Sequence, residues 1–193
     1  MASAYTKQLI KSFVTQHGVD IVETIANTGL FFPAVVAQLS VESSNGTSNL
    51  AINANNYGGI KGNASNGILT TTLEYDGKIP TRVYFKKYNS FRDFMIDYVR
   101  ILREPRYISA GVYTASTPEE QIRRMVEGGY ATATPDGYLA SGVADRIEAT
   151  QDIYEIGKIS NTLDVIADAG LVVKRPYGAV DPGSLWNMLS SDL

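Results

Sequence analysis

A mostly helical α+β fold with one small β-hairpin is what this sequence predicts, and three observations predict it. Apolar residues recur at helical spacing on both sides of a central stretch: Tyr5, Leu9, Ile10, Phe13 and Val14 before it, and Phe91, Phe94, Met95, Tyr98, Ile101 and Leu102 after it. Between them, residues 68–75 (ILTTTLEY) and 78–88 (KIPTRVYFKKY) turn to β-branched and aromatic side chains. They flank Asp76-Gly77, a dipeptide that tolerates the positive φ angles of a tight hairpin turn. The chain has 193 residues, 44% of them hydrophobic, which suits one domain with a sizeable core.

The elements follow in order. A first helix carries the Tyr5–Val14 stripe, and Gly18 is placed to end it. A second, short helix is expected over 20–27, stopped by Asn27-Thr28-Gly29. A third spans 32–43, with Pro33 in its first turn, where a missing N–H costs nothing, and Ser44-Asn45-Gly46 breaking it. Residues 53–67 are rich in Gly and Asn and read as loop. Pro80 assigns its strand to a sheet edge. A helix from 91 ends at Glu104-Pro105. Thr117 and Pro118, as N-cap and first residue, open another to 127. A longer helix is expected over 139–156 and a short one over 162–169. A tail follows with the only tryptophan, Trp186. Neither an internal repeat nor a low-complexity tract interrupts this order.

Composition narrows the chemistry. There is no cysteine, so disulfides, thiolate metal sites and thiol nucleophiles are all excluded. His17 is the one imidazole, too few for a His-rich zinc centre or a Ser-His-Asp triad, so no metal and no cofactor is expected. A net charge of −3 argues against nucleic-acid binding through bulk positive charge. No run of about 18 apolar residues suggests a membrane span. The first residues lack the apolar block of a signal peptide. Carboxylates, hydroxyls and amides are left to do the work.

Glu42 is the first candidate. Stepping about 100° per residue along the third helix from Val35 puts Leu39 near 40°, Phe32 near 60° and Phe31 near −40°, with Glu42 near −20°. Glu42 therefore lies within the apolar stripe. A carboxyl there loses hydration and holds its proton toward neutral pH, which a general acid requires. The plainer reading is an acid at a fraying helix end that reaches water. Glu74, on the hairpin strand, alternates with Leu73 and Tyr75 and so faces away from them. It is either a second catalytic carboxylate or an ordinary solvated residue.

The segment Asn56-Tyr57-Gly58-Gly59-Ile60-Lys61-Gly62 lacks the Gly-Lys-Ser/Thr of a phosphate loop and suits close backbone approach to a sugar. Tyr130 and Tyr138 flank a turn at Pro135-Asp136-Gly137, where they could stack on sugar rings or pack between helices. His17, next to Gly18, is expected to cap a helix end. The basic pairs Lys86-Lys87, Arg123-Arg124 and Lys174-Arg175 read as solvated surface.

Together these residues form an ordered set. Ala37-Gln38-Leu39-Ser40-Val41-Glu42-Ser43, then Gly46, Ser48 and Leu50-Ala51, precede the Asn56–Gly62 block. Thr72-Leu73-Glu74-Tyr75, Phe85-Lys86-Lys87-Tyr88-Asn89-Ser90, Pro105-Arg106-Tyr107 and Gly129-Tyr130-Ala131-Thr132 follow. Over residues 5–157 the set resembles the glucosaminidase family of peptidoglycan hydrolases, glycoside hydrolase family 73. The resemblance implies a lysozyme-like fold, with a helical lobe and a small β-hairpin lobe flanking a cleft. It implies cleavage of the β-1,4 bond between N-acetylglucosamine and N-acetylmuramic acid. Glu42 falls on the family's catalytic acid, Glu74 on the hairpin carboxylate and Tyr130 on the active-site tyrosine. Gln38, Asn56, Tyr57, Gly59 and Tyr138 would meet the substrate.

The chain departs from the family pattern at three places. Ser44-Asn45 replaces Gly-Trp, Gly58 stands where Phe is common, and Ala133–Tyr138 makes a longer turn than the usual Asp-Pro-x-Tyr.

Other readings remain open at this stage. A muramidase or lytic transglycosylase would use the same fold on the other glycosidic bond. A wall-binding or virion structural module would keep the cleft without turnover. The expected partner is the glycan strand of peptidoglycan, met in the periplasm or outside the cell. A protein without a signal peptide would arrive there by phage release or a dedicated export route. Residues 1–159 are expected to form the catalytic domain. Residues 160–193 would be an extension that packs back on it, covers the cleft or docks onto a larger assembly.

Overall fold

The most apolar stretch of the chain becomes its centre. In the computed structural model, which describes residues 1–74 and 79–154 (72–74 and 79–80 by their backbone), every residue from Phe32 to Ser40 is buried. This stretch is helix α2 (Phe32–Glu42), with Pro33 in its first turn as expected. Around it pack α1 (Ala4–Ile25), α6 (Pro118–Glu127) and α8 (Ala144–Ile153), while α4 (Phe91–Leu102) lies against α1. Short helices α3 (Asn49–Ala54), α5 (Pro105–Ala110) and α7 (Pro135–Tyr138) connect these. The hairpin pairs β1 (Gly67–Glu74) with β2 (Ile79–Lys86) antiparallel, in a register running from Gly67 opposite Lys86 to Glu74 opposite Ile79. Among the described residues the sheet has these two strands, so Pro80 stands on an edge. The Asp76-Gly77 turn, the end of the 139–156 helix, Lys174-Arg175, Trp186 and the whole 160–193 extension lie outside the described residues.

Two helices expected at the start are one. The chain runs helically through Gly18 to Ile25, then stops as expected at Asn27 and Gly29, both with positive φ. A helical glycine costs about 1 kcal/mol relative to alanine. Continuing the stripe buries Ile21, Val22 and Ile25, each worth about 1.5–3 kcal/mol, so burial prevails. His17 consequently caps nothing. It lies mid-helix at 4% exposure, its ring 4.1 Å from Phe91 and 4.9 Å from both Phe13 and Tyr57 by centroid. Burial pushes its pKa down to about 4.

Pro105 ends α4 but immediately opens α5 as its first residue, a position that proline suits. The helix expected from residue 139 begins later. Gly142, at φ 105, distorts a wider-wound turn over Leu139–Val143, and α8 starts at Ala144. The cap of α6 is as expected: the Thr117 hydroxyl accepts the Glu120 N–H at 3.1 Å. From the next turn the buried Gln121 reaches back to α2. Its Oε1 accepts the Phe31 N–H at 2.8 Å, and its Nε2 donates to the carbonyls of Gly29 (3.0 Å) and Val112 (2.9 Å).

Lys86 is not the solvated surface residue expected. Its ammonium donates to Asp97 Oδ2 at 2.8 Å, and the Tyr88 hydroxyl donates to the same oxygen at 2.7 Å. Arg100 Nε donates to Oδ1 at 2.7 Å. Burial acts to raise the Asp97 pKa, but the hydrogen bonds from Lys86, Tyr88 and Arg100 outweigh it and hold the carboxyl below its ordinary value. This cluster ties β2 to α4. Arg123 and Arg124 are also paired, with Asp136 and with Glu120 and Glu127.

Candidate active site

Glu42 is the last residue of α2, and a tightly wound turn follows it. The Ser43 hydroxyl donates to the Leu39 carbonyl at 2.6 Å and accepts the Gly46 N–H at 2.8 Å. Ser44, Asn45 and Gly46 all take left-handed conformations, with φ of 52, 58 and 83°. The chain then re-enters helix at α3, where the Ser48 hydroxyl caps the Ala51 N–H at 3.1 Å. The position of the family's Gly-Trp is thus a reversal built from two non-glycine residues.

Tyr138 meets Glu42 from across the site. Thr134 caps α7 by accepting the Gly137 N–H at 3.1 Å, Pro135 holds the first position, and Asp136 pairs with Arg123. The longer Ala133–Tyr138 turn is therefore a helical turn. Its last residue donates its hydroxyl to Glu42 Oε1 at 2.5 Å. Glu42 remains open to solvent as a residue, while protein crowds its carboxyl. Desolvation raises its pKa, and the Tyr138 hydrogen bond partly opposes the rise. A carboxyl biased toward its protonated form by desolvation, beside a donor that can stabilise it once it ionises, is suited to general-acid chemistry.

Tyr130 stands beside this pair. Its ring centroid is 6.4 Å from that of Tyr138 at a steep interplanar angle of 63°, and its hydroxyl lies 3.4 Å from the Gly58 carbonyl. Burial first, and the neighbouring Glu42 second, push its phenol well above the ordinary value, so it is a neutral donor.

Three residues expected against the substrate are committed elsewhere. Asn56 is 1% exposed; its Nδ2 donates to the Ile60 and Lys86 carbonyls at 2.9 Å each, and its Oδ1 accepts the Ile60 N–H at 3.0 Å. It shapes the loop and stitches it to β2. Tyr57 is 6% exposed, with its ring against His17, Phe91 and Phe94. Gln38 is fully buried one turn before Glu42, its Oε1 accepting the Tyr98 hydroxyl. Gly59 stays partly open, at φ 63°. Glu74 is the last residue of β1, and its side chain lies outside the described residues. Tyr98 was missed as part of the site because its place in an apolar stripe reads as plain core.

A helical body with one hairpin thus presents a carboxyl crowded by phenols at the end of its central helix. Residues 20–151 match the glucosaminidase family, described as mannosyl-glycoprotein endo-beta-N-acetylglucosaminidase, and the chain belongs to that family. It is similar to the exo-glucosaminidase LytG of Bacillus subtilis, 29% identical over 168 residues that cover 81% of this chain. The chain spans about half the length of that relative, 55% of it. Among solved structures, the glycoside hydrolase domain of Salmonella typhimurium FlgJ, C-terminally truncated, is 28% identical with a TM-score of 0.56, covering 74% of this chain and 98% of that one. The catalytic domain of the Listeria monocytogenes autolysin Auto shares the fold at 20% identity and a TM-score of 0.60, covering 79% and 86%.

Proposed function

We propose that the chain is a peptidoglycan hydrolase acting at the cell wall, and that it cuts within glycan strands at the β-1,4 bond from N-acetylglucosamine to N-acetylmuramic acid. Glu42 is the general acid, and the observation that carries this reading is its place at the end of α2 with the Tyr138 hydroxyl donating to it and desolvation raising its pKa. Glu42 gives its proton to the glycosidic oxygen as the bond to the anomeric carbon breaks through an oxocarbenium-like transition state. The resulting carboxylate then accepts the Tyr138 hydrogen bond. Tyr130, neutral and beside Glu42, is a donor for the substrate.

The second half of the reaction has two routes. Glu74 activates water, or the substrate's own 2-acetamido group attacks the anomeric carbon with Glu74 stabilising it. The match of Glu74, at the end of β1, to the hairpin carboxylate of the family pattern supports this role. Membership of the glucosaminidase family and likeness to peptidoglycan hydrolases support the substrate class. Residues 1–159 are taken as the catalytic unit, and 160–193 as an extension that packs back on it, covers the cleft or docks onto a larger assembly.

The test is digestion of purified peptidoglycan, borohydride reduction and mass spectrometry. Reduced N-acetylglucosamine ends on internal fragments are expected. Release from strand ends alone would make the enzyme an exo-hydrolase like its Bacillus relative. Reduced or anhydro-muramic ends would overturn the bond assignment, and wall binding without new ends would overturn catalysis.

A further inference from the structure

Arg146, in the first turn of α8, is half-buried, and no carboxylate among the described residues bonds to it. Among those residues the one hydrogen bond of its side chain runs from Nη1 to the Gly142 carbonyl, at 3.1 Å, while Nε is buried without a partner. Burial acts against its charge and lowers its pKa, opposed through space by Asp145 and Tyr5. A cation so placed gives up hydration, and what it receives in return is a charge-assisted bond to an irregular piece of backbone. Gly142 has φ 105° and lies inside the wide turn Leu139–Val143 that joins α7 to α8. A Cβ at Gly142 would lie 2.8 Å from Arg146 Nη1, so the guanidinium rests against the bare face of the glycine.

That turn begins directly after Tyr138 and packs on α2, the helix that ends in Glu42. Its Ser141 hydroxyl donates to the Tyr138 carbonyl at 2.7 Å, and the Tyr138 N–H donates to the Thr134 carbonyl at 2.8 Å. Tyr138 is thus gripped on both sides through its backbone, and its hydroxyl lies 2.5 Å from Glu42 Oε1. A phenol hydroxyl at the far end of its ring moves with that backbone, and a hydrogen bond weakens steeply once misaligned. Widened helical turns recur at functional sites, and this one is held by a side chain with no other hydrogen-bonded partner among the described residues.

We propose that Arg146 is a positioning residue for the acid: by holding the Gly142 carbonyl it fixes the wide turn that sets Tyr138 against Glu42. The proposal rests on the reading of Glu42 as the acid. The titratable groups facing Glu42 are Tyr138 from α7, Tyr130 from the segment after α6 and Tyr98 from α4. Burial, first of all, raises each of these phenols, so each is a neutral donor near neutral pH.

The experiment follows the Glu42 carboxyl by carbon-13 NMR titration in the full chain, with Glu42→Gln identifying the resonance. Arg146→Met keeps the apolar stem and removes the donor, so the turn relaxes and Tyr138 donates less well. The Glu42 acid dissociation constant should fall about two- to fivefold, and the alkaline limb of peptidoglycan hydrolysis should move to higher pH with it. In a Tyr138→Phe background the same substitution should leave Glu42 where it is. That arm separates positioning from the mere loss of a positive charge, which would act on Glu42 in either background. An equal shift in both backgrounds, or none in the wild-type background, overturns the proposal. Ser141→Ala, at an exposed residue of the same turn, removes the bond to the Tyr138 carbonyl and should move Glu42 in the same direction. It carries the test where Arg146→Met does not fold, and there an unmoved Glu42 overturns the proposal. Should the titration move while the alkaline limb stays, the positioning stands and Glu42 is not the acid. Should neither move, Arg146 only stabilises the fold, the proposal falls, and the acid assignment is untouched.

Discussion

The Tyr130 hydroxyl occupies space that a side chain at position 58 would need: a Cβ on Gly58 would lie 3.1 Å from it and 3.3 Å from the Phe94 ring. Both contacts are tighter than ordinary packing, and Tyr130 is a ring beside the proposed acid. A side chain at this position would require Tyr130 or Phe94 to give by a few tenths of an ångström.

Gly58→Ala should displace Tyr130 and lower stability by about 1–3 kcal/mol, the usual cost of overpacking. Tyr130→Phe, which removes the crowding hydroxyl, should restore part of that loss in the double variant. Urea unfolding of the four proteins measures the coupling, and strictly additive effects would show that the two residues do not compete for space.

Glu42→Gln should abolish turnover, a loss of about 10²–10⁴-fold or more for a general acid, while the protein stays folded. Its effect on stability has a definite sign. The folded pKa of Glu42 is raised above its unfolded value, so deprotonation costs the folded state stability once the pH rises through the folded pKa. Glutamine removes that cost. The thermal midpoint of Glu42→Gln should exceed that of the wild type at neutral pH, with the gap closing as pH falls below the ordinary carboxyl range. A gap that does not change with pH would mean Glu42 ionises freely.

Glu74→Gln separates the two routes for the second half of the reaction. A loss of about a hundredfold or more would fit a base acting on water. Near wild-type hydrolysis of intact peptidoglycan would take Glu74 out of the mechanism.

His17 makes the fold acid-labile. Its folded pKa lies below its unfolded value, so its stabilising contribution is complete above about pH 6.5 and is lost as pH falls through about 4. The distance from 6.5 to about 4 corresponds to about 3 kcal/mol. Between pH 7 and 4 the wild type should lose about that much more stability than His17→Leu. Equal losses would show that the imidazole is protonated inside the core.

Ser44→Gly should stabilise the turn after α2. A left-handed conformation costs an ordinary residue about 1–2 kcal/mol, and glycine gives back about half of that in unfolded-chain entropy. The net expectation is a gain of about 0.5–1 kcal/mol, read as a higher thermal midpoint. Asn45 tolerates its φ of 58° better, so Asn45→Gly should gain less.

The legible parts of this chain were those where one local rule met no competitor. The start of α2 at Pro33, the pairing of the two β-branched runs as β1 and β2, and the Thr117-Pro118 start of α6 needed no partner to be read. Gly18 and His17 were misread because a local stop signal was set against burial that became visible only once Phe91 and Tyr57 closed over the helix. Asn56 and Tyr57 looked free for a ligand because sequence cannot show that Ile60, Lys86 and Phe94 take up their polar atoms and ring faces. The Gln38–Tyr98 contact joins residues 60 apart in the chain, a distance over which periodicity carries no information. Pro135, Asp136 and Gly137 read as a turn, and they form a helical one; what it delivers to Glu42 depends on where α2 ends.

That end has a consequence of its own. Helical peptide dipoles align so that the C-terminal end of α2 carries partial negative charge, which disfavours a second negative charge beside it by roughly 0.3–1 kcal/mol. Glu42 is the last residue of that helix, where the carbonyls of Leu39, Ser40 and Val41 accept the N–H groups of Ser43, Asn45 and Ser44. The same carboxyl at the opposite end of a helix would be pulled toward ionisation. Chain direction thus works with desolvation to keep the proton on Glu42, and this part of its tuning would persist in any variant that left the course of α2 unchanged.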